Sequence, residues 1–99
     1  MLTRTEILNY LQENKKIFDD AYGIRKIGLF GSYAREEQTE QSDVDILIEM
    51  REGTENIFDK RLKLQELLMK RFSKRVDICH QQALKPIFRD IVLSETRYA

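Results

Sequence analysis

The stretch "GSYAREEQTEQSDVDILIEM" (residues 31–50) decides how this chain folds and where its chemistry lies. A Gly-Ser pair is followed by ten mostly polar residues, two aspartates one residue apart, and a run of apolar residues. Aspartate is a poor strand former, and burying its charge is costly. Asp43 and Asp45 nevertheless stand at the head of a run that reads as a core strand, which indicates that they serve a function.

The apolar run after the aspartates is predicted to be a strand with two different faces. Side chains of a strand alternate between its faces, so Asp43 and Asp45 point the same way. Val44, Ile46 and Ile48 then point to the other side and suit a buried core. The strand can therefore bury one face and leave the other for chemistry.

A later stretch, "KRVDICH" (74–80), repeats this arrangement and is predicted as a third strand. Val76 and Ile78 suit the buried face, which leaves Asp77 on the opposite one. If the two strands are neighbours, three carboxylates converge, and their like charges need compensation. Carboxylate oxygens suit Mg²⁺, and three aspartates can hold two such ions about 4 Å apart for in-line phosphoryl transfer.

The Gly-Ser pair is predicted to supply the complementary phosphate site. Gly31 allows the backbone to approach a ligand closely. Ser32 is predicted to be the N-cap of a short helix over 32–37, and its hydroxyl is a further donor. Arg35 on that helix can reach a phosphate oxygen, although a solvated arginine is an equally good interpretation.

The rest of the chain predicts an α/β (α+β) fold with the order α-β-α-β-α-β-α, a small mixed sheet with helices packed on it. Thr3 and Glu6 form a candidate capping box, Gly23 suits a helix end, and Pro86 suits a first helical turn. The predicted helices cover residues 3–20, 32–37, 56–73 and 86–95. The predicted strands cover residues 24–30, 43–50 and 74–80.

Composition indicates a small cytoplasmic domain spanning residues 1–99. Acidic and basic residues balance at 17 each, so net charge does not favour nucleic acid or an anionic membrane as a partner. No apolar run approaches the roughly 20 residues of a membrane span, and the N-terminus lacks the apolar stretch of a signal peptide. A single cysteine, Cys79, fits a reducing compartment.

Gly31-Ser32, ten residues and then Asp43-x-Asp45 resemble the Gly-Ser-x10-Asp-x-Asp signature of the DNA polymerase beta-like nucleotidyltransferase superfamily. Asp77 stands where the third carboxylate of that superfamily is expected. In length the chain is similar to the minimal nucleotidyltransferases of bacteria and archaea, and residues 83–99 are similar to the usual ending of that group.

This resemblance implies a role for each matching residue. Gly31 and Ser32 would contact the β- and γ-phosphates of a nucleoside triphosphate such as ATP. Asp43 and Asp45 would ligate two Mg²⁺ ions, and Asp77 would complete the site of the ion nearest the attacking hydroxyl. The implied reaction is attack on the α-phosphate with release of pyrophosphate.

The resemblance also implies a partner, because family members of this size commonly act as antitoxins paired with a small helical HEPN-domain toxin. Some of them adenylylate a tyrosine of that toxin. One alternative is a binding module that neutralises the toxin by occlusion with little catalysis. Glu36, where the family usually has glycine, favours this alternative mildly.

Another alternative is modification of a small molecule such as an aminoglycoside, but enzymes of that kind are larger and carry extra helical regions. The small size of the chain also suggests that its acceptor site is shared with a partner or with a second copy.

Overall fold

Four strands form one mixed sheet in the computed structural model of the protein, which describes residues 1–99. The strand order across the sheet is β3-β2-β1-β4. The central pair β1 and β2 is antiparallel, β2 and β3 are parallel, and β4 runs antiparallel to β1. The strands are β1 (Ile24–Phe30), β2 (Val44–Met50), β3 (Val76–His80) and β4 (Arg97–Tyr98).

Five α-helices and one 3₁₀ turn connect and flank the strands. The predicted fold class is confirmed, and the last helix begins at Pro86 and ends at Glu95 as expected. The helices are α1 (Arg4–Glu13), α2 (Lys15–Tyr22), α3 (Gly31–Arg35), α4 (Ile57–Phe72) and α5 (Pro86–Glu95), and the 3₁₀ turn is Gln81–Ala83. No helix combines the length and the apolar character needed to cross a membrane.

The first predicted helix is in fact two helices. Thr3 caps α1 as expected, because its side chain accepts a hydrogen bond from the Glu6 N–H at 3.2 Å. The prediction of one continuous helix over 3–20 is wrong at Asn14, whose side-chain amide donates to the Tyr10 carbonyl at 2.8 Å. An asparagine side chain that binds nearby backbone competes with helical hydrogen bonding, so the chain bends there.

One face of the sheet, the core face, is sealed by α1, α2 and α4. Val44, Ile46 and Ile48 of β2 have no exposed surface, as the alternation predicted. They pack in a single cluster of 17 buried residues that includes Ile7 of α1 and Leu64 of α4. Burying each such aliphatic side chain contributes about 1.5–3 kcal/mol, so this face provides most of the stability of the fold.

The short strand β4 was not predicted, and it brings the end of α5 back to the sheet. Its residues pair with Gly28 and Leu29 of β1, and the Ala99 N–H donates to the Ile27 carbonyl at 3.0 Å. Gly28 makes this approach possible, because a Cβ at that position would lie 2.7 Å from Thr96 Cγ2. As a consequence, Glu95 lies close to the beginning of α3.

Candidate active site

Two of the three predicted aspartates lie side by side in the sheet. The parallel pairing of β2 with β3 places Asp45 directly opposite Asp77, and neighbouring strands are about 4.8 Å apart. The prediction that these strands are neighbours is therefore confirmed. Both side chains lie on the face opposite the core face, called here the aspartate face.

Asp45 is half-buried among other negative charges. Burial raises the pKa of its carboxyl to about 6, with the charges of Asp77 and Asp43 as the next causes. Glu95 raises this pKa as well, whereas Arg35 lowers it. The ionised form of Asp45 is thus disfavoured in the protein alone, and a cation placed at the cluster would relieve the repulsion.

The other two aspartates also contact solvent. Asp43 precedes β2, and its Oδ1 lies 3.8 Å from Nε of Arg75, a long contact to an arginine that is 83% exposed. A pair of this kind contributes little in water. Asp77 is exposed. The side chains of Asp43 and Asp77 therefore need little energy to turn toward a bound cation.

The three aspartates form an open group rather than a closed metal cage. No set of three or more His, Cys, Asp or Glu side chains converges on one point as metal ligands. Mg²⁺ is usually held by one or two carboxylates together with substrate phosphates and waters. The residues fit such an ion, because two further carboxylates flank the half-buried Asp45 and Arg35 only partly offsets their repulsion.

Gly31 connects the Gly-Ser turn directly to this group. Its φ is 75°, in the left-handed region that favours glycine. A Cβ at this position would overlap Oδ2 of Asp45. Gly31 is therefore required both for the backbone conformation and for the room that the Asp45 carboxylate occupies.

Ser32 lies inside the short helix and does not cap it. The N-cap of α3 is Phe30, so the prediction of Ser32 as the N-cap is wrong by two positions. The helix begins at Gly31, so Ser32 is already its second residue. Ser32 is partly exposed and follows Gly31, the residue that lies against Asp45.

Glu95 accepts hydrogen bonds from two residues that were predicted to bind phosphate. The Gly31 N–H donates to Glu95 Oε1 at 3.1 Å, and Arg35 Nη1 donates to Glu95 Oε2 at 2.9 Å. Arg35 Nε also donates to Glu37 Oε1 at 2.7 Å. Hydrogen bonds to Glu37 and then Glu95 raise the pKa of the Arg35 guanidinium above its ordinary value.

Sequence reasoning missed Glu95 because nothing local identifies it. It lies 64 residues from Gly31 in sequence, at the end of a helix whose pattern required no particular residue there. Only the pairing of β4 with β1 brings it to the Gly-Ser turn.

Glu36 adopts a left-handed backbone conformation that favours glycine, the residue that the resemblance leads one to expect there. Its φ is 59° and its ψ is 35°, so it forms the left-handed C-cap of α3. Arg4 of α1 compensates for this strain through an ion pair to Glu36 Oε1 at 2.7 Å and a hydrogen bond to the Ala34 carbonyl at 3.1 Å. A cation at a helix C-terminus is favourable, so Arg4 supports the end of α3 as well.

Two neighbouring residues of β3 face opposite sides of the sheet. Cys79 shares the aspartate face, and burial together with Asp45 and Asp77 raises the pKa of its thiol. His80 lies on the other face, and burial with Arg61 lowers its pKa. His80 is therefore not a member of the aspartate group.

One surface cavity lies away from the aspartates. It has a volume of about 430 Å³ and is found at the far end of β2, where Met50, Ile57 and His80 contribute to its lining. Another cavity of about 400 Å³ lies beside α3 and is lined in part by Arg35 and Glu95. The chemistry of the side chains, rather than cavity size, identifies the candidate site.

Known proteins resemble this chain in sequence over nearly its whole length. A profile of the nucleotidyltransferase domain family matches residues 10–99. The protein adenylyltransferase MntA of Thermococcus cleftensis is 40% identical over 98 residues, and this match covers 99% of the chain and 97% of that protein.

Solved structures resemble the chain in fold. A protein proposed to be a minimal nucleotidyltransferase superimposes with a TM-score of 0.78 and 30% identity, over 97% of this chain and 95% of the other. A complex of a tri-AMPylated Shewanella oneidensis HEPN toxin with an MNT antitoxin contains a chain that is 25% identical. That match has a TM-score of 0.58 and covers 90% of this chain and 69% of the other.

Proposed function

Since the chain belongs to the nucleotidyltransferase domain family, we propose that residues 1–99 form one catalytic domain that transfers AMP from ATP to a hydroxyl group. The observation that carries this proposal is the position of Asp45. Its carboxylate lies against Gly31 of the Gly-Ser turn on one side and opposite Asp77 on the other. Groups suited to phosphate and groups suited to a cation thus lie next to each other, where β1 ends and β2 begins.

Each residue of the site has a role that its chemistry supports. Asp43 and Asp45 would hold Mg²⁺, and Asp77 would complete the site of the ion nearest the attacking hydroxyl. Bound Mg²⁺ supplies charge stabilisation at the phosphoryl group and favours ionisation of the acceptor hydroxyl. The Ser32 hydroxyl and the Arg35 guanidinium would donate hydrogen bonds to the β- and γ-phosphates.

The acceptor we propose is a tyrosine hydroxyl of a small helical HEPN-type toxin, with this chain as its antitoxin. Support comes from the Shewanella oneidensis complex, in which a tri-AMPylated HEPN toxin is bound to an MNT antitoxin. A reaction that consumes ATP also fits the predicted cytoplasmic location.

The proposal is tested by incubating the protein with α-labelled ATP, Mg²⁺ and the helical protein encoded beside it. Asp45→Asn should reduce transfer of label to the partner by about 100-fold or more, since several kcal/mol of transition-state stabilisation depend on the metal. Glu49→Gln is the matched control, because Glu49 lies on the same strand and face, four residues from Asp45. Equal labelling by wild type and Asp45→Asn would refute the proposed chemistry.

A second candidate function, neutralisation of the toxin by occlusion, is favoured by the exposed apolar side of α5. Ile87, Phe88 and Ile91 are 75%, 54% and 63% exposed, and α5 has no buried residue. Exposed apolar surface of this kind is typical of a protein-binding site. If the Asp43→Ala/Asp45→Ala double variant still protects cells from the toxin, occlusion is sufficient, and loss of protection favours catalysis.

A further inference from the structure

Glu95 is held rigidly at the point where it meets the Gly-Ser turn. The next residue, Thr96, donates from Oγ1 to the Val92 carbonyl at 2.6 Å and packs against Gly28. Beyond it, β4 pairs with β1. The Glu95 side chain is only 23% exposed. Its carboxylate is therefore placed by the body of the fold rather than by a flexible chain end.

The groups that Glu95 contacts would be poorly fixed without it. Gly31 has the conformational freedom of glycine, and the peptide that precedes it carries the N–H bonded to Glu95. Arg35 lies on a helix of only five residues and is exposed, and an arginine side chain loses about 2 kcal/mol of rotamer entropy when it is immobilised. A carboxylate that binds both groups at once reduces their freedom before any ligand arrives.

We propose that Glu95 is a positioning residue for triphosphate binding, which holds Gly31 and directs the Arg35 guanidinium toward the phosphates. This inference rests on the proposed nucleotidyltransferase function. Arg35 keeps donors for a ligand, because a guanidinium has five N–H groups and Glu37 and Glu95 take only part of them.

The opposite role is inhibitory: the Glu95 carboxylate would compete with phosphate for the same donors. The two roles predict opposite signs for the effect of removing Glu95 on nucleotide affinity. Positioning is the better account because Arg35 keeps N–H groups that neither Glu37 nor Glu95 takes, so a phosphate can bind Arg35 without displacing Glu95. Binding groups that are fixed in advance lose less entropy on association.

The test measures the affinity of the purified full chain for Mg²⁺-ATP by calorimetry. Glu95→Ala should weaken binding about three- to tenfold, the effect expected when one arginine and one turn lose their fixed positions. Glu95→Gln should fall between this variant and wild type, because Gln can still accept from the Gly31 N–H but loses the ion pair to Arg35. Asp90→Asn is the matched control, since it removes one exposed charge from the same helix and should change affinity less than twofold.

A second measurement separates positioning from a general effect on folding. Because Glu95 acts in part through Arg35, the effect of Glu95→Ala on affinity should be smaller in an Arg35→Ala background, where only its contact with Gly31 remains to be lost. In the transfer assay, the KM for ATP should rise with Glu95→Ala while kcat changes less than about twofold. The thermal unfolding midpoints of the variants show whether the fold is retained.

Four outcomes would overturn the inference. Unchanged binding of Mg²⁺-ATP by Glu95→Ala would show that the contact has no role in affinity. Tighter binding would show that the contact is inhibitory. An equal effect of Glu95→Ala with and without Arg35 would show that Glu95 does not act through Arg35, contrary to the inference. Failure of the wild type to bind Mg²⁺-ATP would refute the proposed function itself, which separates that result from the other three.

Discussion

The two faces of the sheet differ in the kind of side chain that they bring together. On the core face, Val44, Ile46 and Ile48 are fully buried in one apolar cluster. On the aspartate face, Asp45 and Asp77 stand opposite one another with like charges. The first arrangement stabilises the fold by removing apolar surface from water, whereas the second is unfavourable until a cation or proton is bound. Along β2, the core face is entirely apolar, whereas the other face carries Asp45 and Glu49 on either side of the buried Leu47.

The largest difference in stability is expected between substitutions of two neighbouring residues on β2. Ile46→Ala should lower the free energy of unfolding by about 2–5 kcal/mol, because it leaves a cavity in the core. Asp45→Asn should not lower it, and should leave only the activity impaired. Urea denaturation of both variants measures the difference, and a large loss of stability in Asp45→Asn would contradict the division between the faces.

The next largest effect is expected at Gly31. Gly31→Ala should destabilise the protein by about 1–3 kcal/mol, because φ is 75° there and the new Cβ would overlap the Asp45 carboxylate. Transfer activity should be lost with it. Gly53→Ala is the matched control: its φ is 81°, but a Cβ there meets no atom within 4 Å. If both variants behave alike, only backbone strain matters and the contact with Asp45 does not.

The unfavourable charge on the aspartate face should be visible in the pH dependence of stability. The pKa of Asp45 is raised to about 6 in the folded protein and is about 3.9 in an unfolded chain. Between these values the folded state binds more protons, so the stabilising contribution of the protonated group, fully present below pH 4, is lost as pH rises to 6. After allowance for the solvent that reaches Asp45, the loss should be about 1 kcal/mol.

Denaturation of wild type and Asp45→Asn at pH 4 and pH 7, without divalent cations, measures this contribution. The decrease in stability attributable to Asp45 should be absent from the variant. An identical pH dependence of stability in both proteins would show that folding does not destabilise the ionised form of Asp45.

The smallest effect is expected at the edge of the site. Glu36→Gly should change the free energy of unfolding by less than about 1 kcal/mol, because relief of the left-handed strain offsets the lost ion pair to Arg4. Glu36→Ala loses the ion pair and keeps the strain, so it should be the less stable of the two. Thermal unfolding distinguishes them, and equal stability would show that φ at this position is unimportant.

Where the sequence has a periodic pattern, the face of the sheet on which each side chain lies was predicted correctly. The alternation along β2 and β3 placed the apolar residues on the core face and Asp77 near Asp45, because each strand side chain points to the face opposite its neighbours. The break at Asn14 and the position of Ser32 inside α3 were not predicted. Both depend on local hydrogen bonds or backbone angles that periodicity does not record.

The fold class, the Gly-Ser turn and the candidate aspartates could thus be predicted from the sequence alone. The periodicity of each element and the spacing of the motif are local properties of the chain. Tertiary structure decided how those parts are held together. The strand β4 has only two residues, too few for a recognisable pattern, yet its pairing with β1 carries Glu95 to a turn 64 residues away. The contacts of Glu95 with Gly31 and Arg35 arise only after the chain has folded, because they depend on the distance between elements rather than on the order of residues.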